Sequence, residues 1–234
     1  MIGNFLKPID LLYPRRCPVC DDAAPLGKKI CPDCRDSLKI ITSPWCMKCG
    51  KKLAAEGMYC GDCMIKDHSF ACGRSLYEYK SVYGSIYRLK YENRREYAEY
   101  FGEEMWKHLK AFIKNTKAEG IVPIPLHKKR QKKRGYNQAY LLAKALSKGS
   151  KIPLYPNYLK RVKNTAPLKA LSPSERQNNL KKAFIVSQNV VKLKSIIVVD
   201  DIYTTGSTMD EAATALLESG VREVFFVTLA GAGI

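Results

Sequence analysis

Four C-x-x-C pairs crowd the first third of the chain: Cys17/Cys20, Cys31/Cys34, Cys46/Cys49 and Cys60/Cys63. They use eight of the nine cysteines, and the second two pairs repeat the spacing of the first two. One C-x-x-C turn offers two thiolates to a tetrahedral cation, and two such turns close a four-sulfur site with no position left for water. The array therefore reads as a double zinc ribbon holding two structural Zn2+ ions. Disulfides are the rival use of such pairs and belong to oxidising compartments. The stretch Met1 to Tyr13 carries Lys7, Pro8 and Asp10 where a secretory signal needs an apolar core, so a cytoplasmic protein with zinc is expected. The spacers allow both consecutive and cross-braced pairing, and their shortness favours the consecutive one. Gly50 and Gly61 stand where tight knuckle turns call for positive φ.

Zinc here supplies folding energy to a segment with few large apolar side chains, and it is not a catalytic metal. With 234 residues the chain has room for one ordinary domain beside this small one. The expected division is residues 1–70 as the double ribbon and 71–234 as the larger domain, with Cys72 a buried thiol near the boundary.

Ile196 to Val199 is too short for a helix and too continuous for a strand with one wet face, so it reads as a strand of a parallel sheet covered on both sides. Asp200 and Asp201 end it. The hydroxyl-rich stretch Thr204-Thr205-Gly206-Ser207-Thr208 follows, and then Met209, Ala212, Ala213, Leu216 and Leu217 recur at helical spacing up to Gly220. In an open α/β sheet ligands sit at the carboxyl ends of strands, where this loop falls. Hydroxyls and successive backbone N–H groups at a helix N-terminus cradle a phosphate, and Gly206 would let backbone approach it closely. The two acids suit sugar hydroxyls or a divalent cation. The implied ligand is a sugar phosphate.

The string VVDDIYTTGST resembles the phosphoribosyl pyrophosphate (PRPP) signature of type I phosphoribosyltransferases. That resemblance implies an α/β fold with a mainly parallel sheet flanked by helices. It assigns the ribose hydroxyls, and any catalysis, to Asp200 and Asp201, the 5′-phosphate to Thr204 through Thr208, and Mg2+ to the bound PRPP.

Upstream, a strand is expected over Ser75 to Tyr79, helix through Tyr91, and a longer helix from about Arg95 to Lys114. Its stripe Tyr97, Phe101, Met105, Leu109 and Phe112 reads as core rather than as a base-stacking row. Gly120 to Pro125 is a short strand stopped by prolines. Six of the eight residues from His127 to Arg134 are basic, which predicts a mobile, self-repelling loop, followed by a helix capped by Asn137 and built on Ala139, Leu142, Ala143 and Leu146.

The order C-x-x-C array, V-P-I-P-L-H, R-G-Y-N-Q and V-V-D-D-I-Y-T-T-G-S-T is similar to the ComF family of competence proteins, from about Cys17 to Leu229. The resemblance implies that Ile124, Pro125, His127, Arg130 and Arg134 face the pyrophosphate end of PRPP. A further family block, Arg161, Thr165, Leu171-Ser172, Arg176, Asn179 and Phe184, is present and makes Arg161, Arg176 and Asn179 additional candidates. It departs from the family at Leu168, where glutamine is expected.

The formal net charge of +18 attracts polyanions whatever the fold. Single-stranded DNA is the expected partner, held by Lys128, Lys129, Lys132 and Lys133; a merely solvated lysine-rich surface is the bland alternative. No run of about eighteen apolar residues predicts membrane insertion. No G-x-x-x-x-G-K-[ST] occurs either, so DNA translocation would need a separate ATPase. Three functions fit: a ComF-type protein supporting DNA uptake in natural transformation through a PRPP site; an active phosphoribosyltransferase with an unknown acceptor; and a zinc-ribbon adaptor recruiting a helicase or recombination protein.

Overall fold

The computed structural model describes residues 14–162 and 183–231. Two short helices belong to the cysteine array, α1 (Pro32–Ser37) and α2 (Gly61–Ile65). Then come β1 (Gly73–Glu78), α3 (Tyr79–Tyr91), α4 (Tyr97–Asn115), β2 (Gly120–Pro123), α5 (Lys128–Arg134) and α6 (Gln138–Ser150). The chain closes with β3 (Leu159–Arg161), β4 (Phe184–Val186), β5 (Ser195–Tyr203), α7 (Ser207–Glu218) and β6 (Glu223–Gly231).

Four strands form a parallel sheet in the order β1-β6-β5-β2, with Val199 level with both Pro123 and Val227. Its edges are covered by short stretches that are not full strands: Ile40 bridges Tyr77 antiparallel outside β1, and Leu154 bridges Ile121 in parallel outside β2. Such cover removes the open ladder that an edge strand would offer to another chain. β3 and β4 make a separate antiparallel pair that the sequence did not announce.

Side chains alternate along β5, as a strand requires. Ile197 and Val199 join a core with Leu89 of α3, Phe101 and Met105 of α4, and Leu142 and Leu146 of α6. Ile196 and Val198 join Met209, Ala212, Ala213 and Leu216 of α7 on the opposite face. The continuous apolar run thus forms a strand buried on both sides. The stripe of α4 is core as expected, with Tyr97, Phe101 and Met105 buried and Leu109 and Phe112 partly so.

The cysteine array straddles this sheet. Cys17, Ala24, Ile30 and Leu38 pack into the α3–α4–α6 core, whereas Cys46, Cys49, Leu53 and Cys60 pack into the α7 core. Residues 39–41 cross between the two along the edge of β1, where Ile41 N donates to Leu76 O at 2.8 Å and Glu78 N to Lys39 O at 2.8 Å.

Three sequence expectations change. The basic run is a helix, α5, not a loop: His127 Nδ1 accepts from Lys129 N at 3.3 Å, and Gly135 closes the helix at φ 82°. Its straight-chain residues favour helix, and exposure to water weakens their mutual repulsion. Gly50 has the positive φ expected of a knuckle (71°), but Gly61 begins α2, and the matching knuckle position in the first ribbon is Asp21 at φ 69°. Each site thus combines one knuckle turn with one C-x-x-C at a helix start. Cys72 is half-buried rather than buried.

Candidate functional site

Cys17, Cys20, Cys31 and Cys34 bring their sulfurs within 4.8 Å of one another, and so do Cys46, Cys49, Cys60 and Cys63. The pairing is therefore consecutive. Cys49 and Cys60 Sγ are 3.6 Å apart and Cys20 and Cys31 Sγ 3.9 Å, close to the ~3.8 Å edge of a tetrahedron with Zn–S bonds of about 2.3 Å. The sulfurs of a site are unequal: burial of Cys17 is outweighed by backbone N–H groups, which bring it down to about 7, whereas burial, then the neighbouring sulfurs, pushes Cys31 up to about 11 and Cys34 up to about 12. Four thiolates in such a cluster fit Zn2+.

The acidic pair lies where β5 delivers it, on opposite faces of the strand. Asp201 is buried and forms an ion pair with Lys90 of α3. Burial alone would raise the Asp201 carboxyl, but Lys90 carries it below the usual carboxylate value. Burial likewise works against the Lys90 ammonium, and Asp201 more than offsets it. Among the described residues no cation stands at ion-pair distance from Asp200, and the pull of Lys90 on it is outweighed. Burial, then the neighbouring Asp201, raises it well above the carboxylate range, and its Oδ1 accepts from Asp201 N at 2.8 Å.

β2 ends beside this pair. Ile124 N donates to Val199 O at 2.9 Å, and Asn137 Nδ2 donates to Ile124 O at 2.9 Å while the Asn137 carbonyl oxygen caps α6. The Ile124–His127 turn is thereby fixed next to Asp200. Arg134 donates to Gln138 Oε1 and stands over the Tyr91 ring at 5.5 Å, and its charge reaches Lys90 and Asp201. Burial, then Arg130, lowers Arg161, which also feels Asp200. Asp200, Asp201, Arg130, Arg134 and Arg161 are thus gathered at one end of the sheet. Lys128, Lys129, Lys132 and Lys133 point away into solvent on α5, with no carboxylate at ion-pair distance among the described residues. Arg176 and Asn179, with Thr165, Leu168, Leu171 and Ser172, lie outside the described residues, as do residues 232–234.

The loop after β5 sits on a built floor. Gly206 starts α7 at φ 79°, and Thr205 Oγ1 lies 3.0 Å from Ser207 Oγ. A Cβ on Gly206 would meet Tyr203 Oη at 2.6 Å and His68 Cε1 at 3.0 Å. The glycine is therefore required by the floor as well as by its backbone angle. His68 Nδ1 is 2.8 Å from Asp210 Oδ2 in the first turn of α7, and Lys66 Nζ is 2.7 Å from the same oxygen. Burial would raise Asp210, but His68 and Lys66 hold it below the ordinary value. Tyr203 stacks on Phe226 at 4.8 Å, meets Phe70 edge-on at 6.2 Å, and carries Lys51 Nζ 5.8 Å from its ring centroid. Lys51 in turn pairs with Asp62 of α2 at 2.6 Å. The second cysteine site and the tail that follows it form the underside of the loop.

Lys90, His68 and Asp210 were not foreseen. Lys90 had no local signal, being one lysine among many. Asp210 was visible only as an acid in the first turn of a helix, which the helix dipole already explains.

A parallel sheet carrying a hydroxyl-rich strand-to-helix loop beside an acidic pair, with two four-sulfur sites, defines a phosphoribosyltransferase-type domain bearing a double zinc ribbon. Residues 8–64 match the double zinc ribbon domain family and residues 132–233 the phosphoribosyl transferase domain family. The chain is 33% identical over 220 residues to competence protein F of Haemophilus influenzae, covering 89% of this chain and 93% of that protein. It is 32% identical to competence protein ComFC of Bacillus subtilis, covering 82% and 80%, and 28% identical to the DNA utilization protein YhgH of Escherichia coli O157:H7, covering 89% and 86%. The chain belongs to the competence protein F/ComFC family. Among the described residues no helix is long and apolar enough to cross a membrane.

Proposed function

We propose that this protein supports DNA uptake and use as a ComF-type factor, binding PRPP with Mg2+ at the end of β5 and single-stranded DNA on its basic surface. One observation carries the PRPP reading: Asp200 and Asp201, the α7 loop and the Ile124–His127 turn meet at the carboxyl end of adjacent strands, where an α/β sheet receives its ligand. In this reading Thr204 to Thr208 hold the 5′-phosphate with hydroxyls and helix-start amides. Asp200 accepts from the ribose hydroxyls or from a Mg2+-bound water. Asp201, already neutralised by Lys90, positions that lysine and the strand end. Ile124, Pro125, His127, Arg130 and Arg134 face the pyrophosphate, and Arg161 adds charge beside them.

Calorimetry with PRPP, ribose 5-phosphate and inorganic phosphate, each with Mg2+, tests it. PRPP is expected to bind tightest. Asp200→Asn should weaken PRPP about ten- to a hundredfold, the loss of one charge-assisted hydrogen bond, while barely changing phosphate. Equal affinity of the wild type for PRPP and phosphate overturns the reading. Pyrophosphate release dependent on an added acceptor would mark the protein as an enzyme, whereas binding without release fits a PRPP-responsive factor.

A further inference from the structure

Helix α3 uses one face for the core and leaves another that solvation does not explain. Val82, Ser85, Ile86 and Leu89 are buried. Four tyrosines, Tyr79, Tyr83, Tyr87 and Tyr91, recur every fourth residue beside that face, and the last three are 46%, 43% and 62% exposed. Their ring centroids are 5.6, 6.4 and 5.0 Å apart in sequence order, so the rings form one continuous row. Single exposed aromatics are ordinary, but a contiguous row of them marks a recognition surface. The row is aromatic throughout and holds no aliphatic side chain, which suits flat π-faced ligands better than an apolar groove would.

The electrostatic setting selects the ligand. Arg134 stands over Tyr91, so the row runs into α5 with its exposed lysines. The acids at its two ends are already occupied, Glu78 by Lys52 at 2.6 Å and Glu92 by Arg88 at 3.9 Å. The whole chain carries +18. A cationic track beside a file of aromatic rings is what binds single-stranded nucleic acid: phosphates follow the cations while bases stack on the rings, with little regard to sequence. We propose that Tyr83, Tyr87 and Tyr91, extended by Tyr79, form the base-stacking platform for single-stranded DNA, with the exposed lysines of α5 receiving its phosphates. This rests on the DNA-binding half of the function proposed above and gives it a place. A duplex hides its base faces and would find only the cations.

The test is fluorescence anisotropy of labelled oligo(dT) and of a duplex of equal length, with the full zinc-loaded protein at fixed salt. Tyr83→Ala/Tyr87→Ala should weaken oligo(dT) about tenfold for each ring removed and leave the duplex within about twofold of wild type. Tyr83→Phe/Tyr87→Phe, which keeps the rings and the fold, should bind oligo(dT) like wild type. Tyr83→Leu/Tyr87→Leu, which keeps apolar bulk without a π-face, should fail like Ala. If wild type binds oligo(dT) and the Ala or Leu variants bind it equally well, the platform is wrong and DNA binding stands elsewhere. If the Ala variant loses oligo(dT) and duplex alike, or Phe fails too, the row is not a stacking surface. If wild type binds no oligo(dT) even at low salt, the platform and the DNA-binding reading both fall.

Discussion

Lys90 and Asp201 form a buried ion pair between α3 and the end of β5, and that pair makes neighbouring carboxylates unequal. Asp201 is held ionised by the ammonium, while Asp200 is raised by burial and by the charge beside it. Two acids that look interchangeable in sequence therefore differ in their setting: one fastens a helix to the strand, and the other is the acid to which the proposed function gives the ligand.

Removing the lysine leaves Asp201 buried without its cation, so Lys90→Met should destabilise the protein by about 3–5 kcal/mol. Asp201→Asn in the same chain should recover a good part of that loss, because the uncompensated charge disappears with it. Urea unfolding of the two single variants and the double variant measures the coupling. Simple additivity of the two single losses would show that the pair is not a unit.

The same inequality sets opposite signs for stability. Asp200 has a folded pKa above its unfolded value of ~3.9, so its contribution favours the fold below that pH and is lost as pH rises through the folded pKa. Asp201 has a lowered one, so its contribution is present above ~3.9 and is lost as pH falls through the folded pKa. At pH 7 Asp200→Asn should raise the melting temperature and Asp201→Asn should lower it, by a few degrees for each ~1 kcal/mol. Thermal melting in ligand-free buffer reads both signs, and a fall for Asp200→Asn would contradict the burial cost.

Below the raised pKa of Asp200, a ligand that needs its carboxylate must also displace its proton. PRPP with Mg2+ should bind with proton release, more tightly as pH rises toward the raised pKa of Asp200. Calorimetry in two buffers of different ionisation enthalpy detects this as a buffer-dependent heat, which should vanish in Asp200→Asn.

On the nucleic-acid side the electrostatic share is separable from stacking. Lys128, Lys129, Lys132 and Lys133 are exposed on α5, and each phosphate that is no longer neutralised should flatten the log–log salt dependence of oligo(dT) binding by about 0.7. Replacing all four by Ala should lower the slope without changing the preference for single strand over duplex. Affinity that does not respond to salt would leave the basic helix merely solvated.

Much of this molecule is legible in its sequence. Ile196 to Val199 announced a doubly covered strand because parallel strands need apolar side chains on both faces, and the cysteine spacing announced two four-sulfur sites. Asn137 announced a cap because its side chain can satisfy a helix-start amide. Long-range pairing was not readable: nothing local distinguishes Lys90 from other lysines, or His68 from any histidine near a boundary. The α5 run departs from the expected loop because helix propensity and the caps at His127 and Gly135 prevail over charge repulsion. The floor beneath Gly206 was not readable either, since it includes His68, which lies far away in sequence.

That floor leads to a prediction separating the two zinc sites. Cys46, Cys49 and Cys60 share a core with Tyr203 and Phe70, and the tail after Cys63 supplies Lys66 and His68 to Asp210 at the start of α7. The first site bears instead on α3 and α4, through Arg88 of α3, which donates to Val19 O at 2.8 Å, and Lys29 with Glu103 of α4 at 2.6 Å. Cys17→Ser and Cys46→Ser should each lose about one equivalent of zinc and each lower the melting temperature. Only Cys46→Ser should also loosen the loop beneath Gly206 and weaken inorganic phosphate and PRPP together, by about tenfold, because a cradle that is no longer held must be ordered by the ligand. His68→Ala, which leaves all eight thiols in place, should reproduce the ligand defect with full zinc content. Metal analysis and phosphate calorimetry on the three variants decide it: equal phosphate affinity in Cys17→Ser, Cys46→Ser and His68→Ala would mean that the ribbon and the loop are neighbours without being coupled.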